Sequence, residues 1–191
     1  LERSRVAFVF PGVGVRPCGH EMAFIERHRA IIEPRLAQGS DFAHDDLSKN
    51  LKNEPVSELS HQIFTFAFDC AVAEVASERG IEPVVTAGHS MGLYAALTSS
   101  GSLAFEDGLR IVAEALRLVT EASREIDASM AVIVGLSTDD LTEIKAEMGN
   151  ETSSVLMVNS NNDTTKIFAG LRKELELMLA RAEQRDAIRA R

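Results

Sequence analysis

The feature that most constrains this chain is Gly88-His89-Ser90-Met91-Gly92, set between a β-branched run, Pro83-Val84-Val85-Thr86-Ala87, and an apolar helical stretch from Leu93 to Ser99. In that setting G-x-S-x-G puts a serine on a tight strand-to-helix turn, with its hydroxyl projecting at the end of a buried sheet. The flanking glycines let neighbouring backbone pass with no Cβ in the way. The N–H of Met91 then faces the point where an oxyanion would form, and the helix starting there adds its positive end. The same residues also admit a plainer reading, a glycine-rich βα turn in which Ser90 only caps the helix.

The neighbouring segments supply the rest of an α/β core. Residues 5–10, Arg-Val-Ala-Phe-Val-Phe, read as a buried strand stopped by Pro11-Gly12-Val13-Gly14, and loops at the carboxyl ends of such strands are where α/β sheets place ligands. Residues 21–37 have helical spacing, with Met22, Ile25, Ile32 and Leu36 available for one face. The stretch 39–58 is polar and broken by Gly39 and Pro55, so a connection with short helical pieces is expected. From Leu59 to Arg79 apolar residues cover most of a helix surface and Gly80 is a natural stop, which predicts a central buried helix. A further amphipathic helix is predicted from Phe105 to Ile126, with Leu109, Ile111, Val112, Ala115, Leu116 and Val119 inward.

After Ser129 the pattern changes. Strands are expected at Met130 to Leu136, Ser154 to Val158 and Lys166 to Ala169, helices at Thr138 to Met148 and Leu171 to about Gln184, and a last strand near Ile188. That order, βαββαβ, is the split βαβ of ferredoxin-like units. The expected fold class is α/β: the N-terminal part of a parallel-sheet, serine-hydrolase-like core over 1–127, whose closing strands would come from sequence not present here, and a ferredoxin-like subdomain over 128–191.

Charge and composition narrow the function classes. At 191 residues with 45% hydrophobic composition the chain can bury a real core. A formal charge of −9 argues against a nucleic-acid partner, because phosphate binding needs a basic face. The alternation of Arg and Glu from Arg172 to Arg191 reads as a solvated helix face. No apolar run approaches the roughly 20 residues of a bilayer crossing, and the start lacks a signal-peptide core, so no membrane partner and a cytoplasmic location are expected. The start at Leu1-Glu2 leads us to read the chain as a fragment. Cys18 and Cys70 form no C-x-x-C pair; both read as core thiols, and no metal site is expected.

Several segments together carry a family resemblance. Phe8-Val9-Phe10-Pro11-Gly12-Val13-Gly14 resembles F-x-F-P-G-Q-G, and Ala87 to Leu97 resembles A-G-H-S-x-G-E-Y-A-A-L. Asn159 to Gly170 is more loosely similar to N-x-N-S-P-G-Q-x-V-I-x-G, and Gln62 sits where a glutamine opens the buried helix. These are the signatures of the malonyl-transacylase family of acyl-CoA:acyl-carrier-protein acyltransferases, matched in order from about Arg5 onward. The resemblance implies ping-pong transfer: Ser90 takes an acyl group from acyl-CoA as an ester and passes it to the phosphopantetheine thiol of an acyl carrier protein. Both thiols are substrates, and no permanently bound cofactor is implied. The backbone N–H groups of Met91 and Val13 would form the oxyanion hole, while Gly12, Gln62, His89, Leu93, Ala115 and Asn159 would line the pocket.

A serine nucleophile needs a base. The family's base is a histidine beyond the ferredoxin-like insert, and none of His20, His28, His44, His61 and His89 matches it. His89 is read as a structural hydrogen-bonding residue beside Ser90. The family's glutamine in P-G-Q-G is Val13 here, and the glutamate after G-H-S-x-G is Leu93. Where malonyl-specific members carry an arginine for the substrate carboxylate, this chain has Ala115, which points to an uncharged acyl group. Two other readings keep these residues: a thioesterase-like serine hydrolase with water as acceptor, and a catalytically weakened subunit that binds a carrier protein or partner enzyme.

Overall fold

The computed structural model describes residues 5–14, 19–52, 54–149 and 153–190, the last two as backbone. Cys18 lies outside the described residues. The chain divides into two compact units, Leu1–Leu118 and Val119–Arg191.

In the first unit β1 (Val6–Phe10) and β2 (Pro83–Gly88) pair in parallel, with Phe10 opposite Gly88 at their carboxyl ends. Between them in sequence come α1 (Glu21–Arg27), α2 (Arg29–Ala43), a 3₁₀ segment (Leu47–Lys52) and α3 (Glu58–Glu78). After β2 come α4 (Gly92–Ser99) and α5 (Phe105–Glu125), the latter running past Leu118 into the second unit. The apolar surface predicted for α3 is the centre of the core: Ile63, Phe66, Ala67 and Cys70 cluster with Phe10, Leu47, Met91, Ala95, Leu109 and Val112. Removing each large side chain of this set from water contributes about 1.5–3 kcal/mol. Ser57 caps α3, its hydroxyl accepting from the Ser60 N–H at 3.1 Å, and Gly80 follows its end at φ +73°. The helix α5 approaches α3 through Gly108, where a Cβ would lie 2.3 Å from Phe66 Cζ, and the Phe66 and Phe105 rings stack at 5.3 Å.

Three expectations need correction. The helix read over 21–37 is two helices, because the chain breaks at His28 (φ −119°, ψ 28°), whose ring packs on Phe24 at 4.7 Å. The second of them runs on to Ala43 instead of ending before Gly39. That glycine is a packing residue: a Cβ there would lie 2.8 Å from Leu47 Cδ1 and 3.2 Å from Ile63 Cγ2, so its bareness lets α2 press onto α3. On α5, Ile111 and Val119 are exposed rather than inward; burial follows the narrower stripe Phe105, Gly108, Leu109 and Val112.

The second unit follows the order β3 (Ala128–Val134), α6 (Thr138–Met148), β4 (Leu156–Asn162), β5 (Thr165–Leu171), α7 (Arg172–Gln184) and β6 (Arg189–Ala190). Its sheet has the strand order β4-β5-β3-β6 with every pairing antiparallel. Alternation along β3 sends Ala131 and Ile133 inward, where they meet Leu141, Ile144 and Met148 of α6 and Leu175, Met178 and Ala182 of α7. A capping box starts α6: Ser137 Oγ accepts from the Asp140 N–H, and the Asp140 carboxylate accepts from the Ser137 N–H at 2.9 Å. Among the described residues no helix is long and apolar enough to cross a membrane.

Candidate active site

The carboxyl ends of β1 and β2 meet at Ser90. The His89 N–H donates to the Phe10 carbonyl at 3.0 Å, extending the parallel ladder by one residue. The chain then reverses into α4, and the N–H groups of Gly92, Leu93 and Tyr94 donate to the carbonyls of His89, Ser90 and Met91, each at 3.0 Å. Closing so tight a turn puts Ser90 at φ +53°, in the left-handed region that a residue with a Cβ occupies at a cost of about 1–2 kcal/mol. Thr86 Oγ1 donates to the Ala96 carbonyl at 3.2 Å, tying β2 to the helix it feeds.

The two glycines of the motif are required by contact. A Cβ on Gly88 would lie 2.2 Å from the Gly92 carbonyl carbon and the Leu93 nitrogen, and one on Gly92 would lie 2.4 Å from the Pro11 carbonyl oxygen. Gly12 is held as closely: its Cβ would meet His89 Nδ1 at 2.9 Å and Ser90 Cβ at 3.2 Å. The loop after β1 is therefore packed onto the serine turn itself. Ser90 and His89 are exposed, whereas the Met91 side chain is buried in the core, anchoring the turn from below. Val13 and Leu93 are also exposed, leaving apolar side chains around the turn. Gly14 continues the loop at φ +93°.

The other predicted residues fall as follows. Gln62, on α3, donates to Glu58 Oε1 at 2.9 Å. Ala115 lines a groove of about 420 Å³ together with Tyr94, Arg110, Ile111, Glu114 and Leu118. Tyr94 stands four residues after Ser90, so the groove begins one helical turn along from the serine. The charges on its wall are paired: Arg110 with Asp107 at 2.6 Å and Glu114 with Arg117 at 2.6 Å, the latter holding the Glu114 carboxyl below its ordinary value. Asn159 lies in β4 of the second unit. Of the histidines, His61 bonds Asn50 Oδ1 at 3.2 Å and His28 bonds Arg79. The Cys70 thiol is buried and pushed up to about 12, chiefly by desolvation. Among the described residues no group of three His, Cys, Asp or Glu side chains is placed to hold a metal ion.

Sequence reasoning passed over Tyr94 and Glu114, and it placed Arg110 on another part of the helix from Ala115. Their signal was present, since Ile111, Ala115 and Leu118 recur at helical spacing and Arg110 and Glu114 flank that stripe. It also passed over Asp69, a carboxylate set inside the buried helix α3.

Residues 7–191 match the acyl transferase domain family. The chain is 29% identical over 191 residues to a malonyl CoA-acyl carrier protein transacylase of Bacillus subtilis, covering 98% of this chain and 60% of the relative. To the enzyme of the same name from Escherichia coli it is 32% identical over 193 residues, covering 98% and 62%. Among solved structures it resembles a malonyl-transacylase in complex with a type II polyketide acyl-carrier protein, with TM-score 0.86, 28% identity and 98% and 62% of the two chains covered. An acyl carrier protein S-malonyltransferase from Vibrio cholerae is similar to the same degree, with TM-score 0.86, 26% identity and the same coverage. The chain thus spans about three-fifths of the length of these relatives.

Proposed function

Because the chain belongs to the acyl transferase domain family, we propose that it carries the nucleophile of an acyltransferase that moves an acyl group from acyl-CoA to an acyl carrier protein through an ester on Ser90. The single observation that carries this reading is the strained Ser90 backbone, exposed at φ +53° on a turn that three glycines allow to close. Strain of this kind persists only where surrounding structure over-determines it, and it concentrates at functional sites.

In the proposed reaction Ser90 Oγ attacks the thioester carbonyl carbon and gives up its proton to a base. The resulting oxyanion is held by the N–H groups of Met91 and Val13, at the positive end of α4. A donor of this kind is worth about 10²–10³ in rate. The C–S bond then breaks and the coenzyme A sulfur takes the proton. In the second half the phosphopantetheine thiol attacks the ester, its proton passes to the base and on to Ser90 Oγ as the C–O bond breaks, and water takes no part. Proton removal from Ser90 requires a group other than the five histidines, none of which matches the family's base. Gly12 admits the thioester close to the serine, His89 holds the loop after β1, and Gln62 and Leu93 border the substrate. We read the core as serine-hydrolase-like and the second unit, from its βαββαβ order, as ferredoxin-like.

The acyl group is read as uncharged. Ala115 offers no cation, and the groove's arginine, Arg110, already carries Asp107. An unpaired carboxylate taken from water would cost more than the roughly 1.5–3 kcal/mol that a charge-assisted hydrogen bond returns. Incubating the complete protein separately with malonyl-CoA and with acetyl- and butyryl-CoA, followed by intact mass and peptide mapping, tests both parts. A neutral acyl ester on Ser90 is expected, absent in Ser90→Ala. Efficient malonyl loading overturns the specificity, and no ester from any donor overturns the mechanism.

A further inference from the structure

The joint between α1 and α2 is built on one histidine. The His28 N–H closes α1 by donating to the carbonyls of Phe24 at 3.0 Å and Ile25 at 3.1 Å, while the His28 carbonyl opens α2 by accepting from the N–H groups of Ile31 at 3.0 Å and Ile32 at 3.1 Å. Its ring lies on Phe24 at 4.7 Å, and its Nε2 is 3.0 Å from Nη2 of Arg79, the residue that ends α3. Ile25 of α1 and Ile32 of α2 are buried with Ala71 and Val75 of α3. A helix of seven residues does not hold in water by itself, so α1 persists through this docking.

An arginine guanidinium only donates, and it keeps its charge at every pH a folded protein meets. The bond to Arg79 therefore exists only while Nε2 carries a lone pair, that is, while the ring is neutral with its proton on Nδ1. Protonation turns Nε2 into a second donor aimed at the first and brings two like charges together. We propose that His28 is a proton-operated latch: the neutral ring, bonded to Arg79, holds α1 on α3, and protonation of the ring releases α1. This helix is the first after the loop packed on the serine turn, so the latch acts on the segment next to that loop in sequence.

The surrounding charges push in the same direction. Desolvation first, then Arg79 of α3 and Arg27 of α1, lower the ring below its ordinary value of 6.5, and the charged groups acting on it are both cations. On α2, Arg29 is held by Glu33 at 2.5 Å, and Glu26 of α1 acts on that same arginine. The docked ring takes its proton at lower pH than a free one, so the latch is closed above 6.5 and opens as the pH falls through the ionisation of the docked ring. Asp69 of α3 ionises at about 7 because burial raises it, and its protonation favours the fold, which is the opposite response to acid.

The test uses the whole chain, isotope-labelled, at about pH 7.5 and about pH 5.5, on either side of imidazole ionisation. Protection of the Phe24, Ile25 and His28 amides against hydrogen exchange, corrected for the intrinsic rate, should be at least about threefold lower at the acid value. His28→Gln keeps an acceptor where Nε2 stands and cannot take a proton, so its α1 protection should be equal at both values or rise slightly in acid through Asp69. Arg79→Met removes the donor and one of the two cations. Its ring titration, followed by NMR, should move up toward 6.5, and its α1 protection should be low at both values. Wild-type protection that stays flat, an equal fall in His28→Gln, or an Arg79→Met chain with wild-type titration and protection each overturns the latch.

Discussion

Asp69 also sets the sharpest stability prediction. Its carboxyl ionises at about 7 in the folded chain against 3.8 for a free aspartate, and desolvation is the cause. At about 1.36 kcal/mol per pH unit, the difference corresponds to roughly 4 kcal/mol. The folded pKa is raised, so the unpenalised state holds below about pH 3.8 in both folded and unfolded chains. Stability is then lost as the pH rises toward 7, and the full penalty applies above it. Asp69→Asn keeps the shape and removes the ionisation. Urea unfolding of the two proteins should therefore differ little near about pH 4, while at about pH 8 the variant should be the more stable by several kcal/mol. Tyr94, the chain's one tyrosine in the absence of tryptophan, lies in the first unit and reports its unfolding by fluorescence. Other titrating groups are common to both proteins and cancel in the comparison. A wild-type-to-variant difference that stays flat from about pH 4 to about pH 8 would refute the claim that Asp69 Oδ2 is buried with no hydrogen-bond partner among the described residues.

Further outcomes follow from the serine turn and its groove. Ser90→Ala and Ser90→Gly should both abolish the acyl ester, but the glycine variant should be the more stable by about 1 kcal/mol in denaturant titrations, since φ +53° strains alanine and not glycine. If the alanine variant is equally stable, the turn is not strained. Gly92→Ala drives a Cβ to within 2.4 Å of the Pro11 carbonyl oxygen and should destabilise the first unit by about 3 kcal/mol or more; a small change in its unfolding midpoint would contradict the packing. Ala115→Arg places a cation in the groove beside Tyr94, and the malonyl-to-acetyl loading ratio at Ser90 should rise at least about tenfold. An unchanged ratio separates Ala115 from acyl selection.

What could be read from the sequence was what is decided locally. A β-branched run, two glycines around a serine and an apolar helix lie within seventeen residues, and they form β2, the turn and α4 as expected. The strand before Pro11 was legible for the same reason, although Ala7 and Val9 are exposed where a buried strand was expected, and the order of elements after Ser129 followed from periodicity changing between two and 3.6. What could not be read depends on what arrives from elsewhere in the chain. Gly39 looks like a helix breaker until Leu47 and Ile63 are seen pressing against it. The break at His28 reflects how its ring settles on Phe24, which spacing alone does not encode. Ile111 satisfies a helical apolar pattern and is nevertheless exposed, because only the stripe through Gly108 meets Phe66. The isolation of Asp69 required knowing that Ala7 to Phe10 pass beside it with no basic residue among them.

The glycines around Ser90 are best understood together. A serine held left-handed would by itself favour relaxation of the turn by about 1–2 kcal/mol. Three close approaches oppose that relaxation: Gly88 against Gly92 and Leu93, Gly92 against Pro11, and Gly12 against His89 and Ser90. Each approach exists only because a side chain is missing; the first closes the turn on itself, and the other two join it to the loop after β1. The Met91 side chain in the core and the Thr86 bond to Ala96 then fix both the turn and the helix behind it. Local preference is overruled at one residue of the turn, the exposed Ser90 proposed as the nucleophile. A hydroxyl that merely capped a helix would need none of these contacts: Ser57 and Ser137 cap α3 and α6 from ordinary extended backbone, at φ −68° and −74°. The contrast between those two serines and Ser90 within one chain is the physical ground for reading Ser90 as a nucleophile rather than a cap.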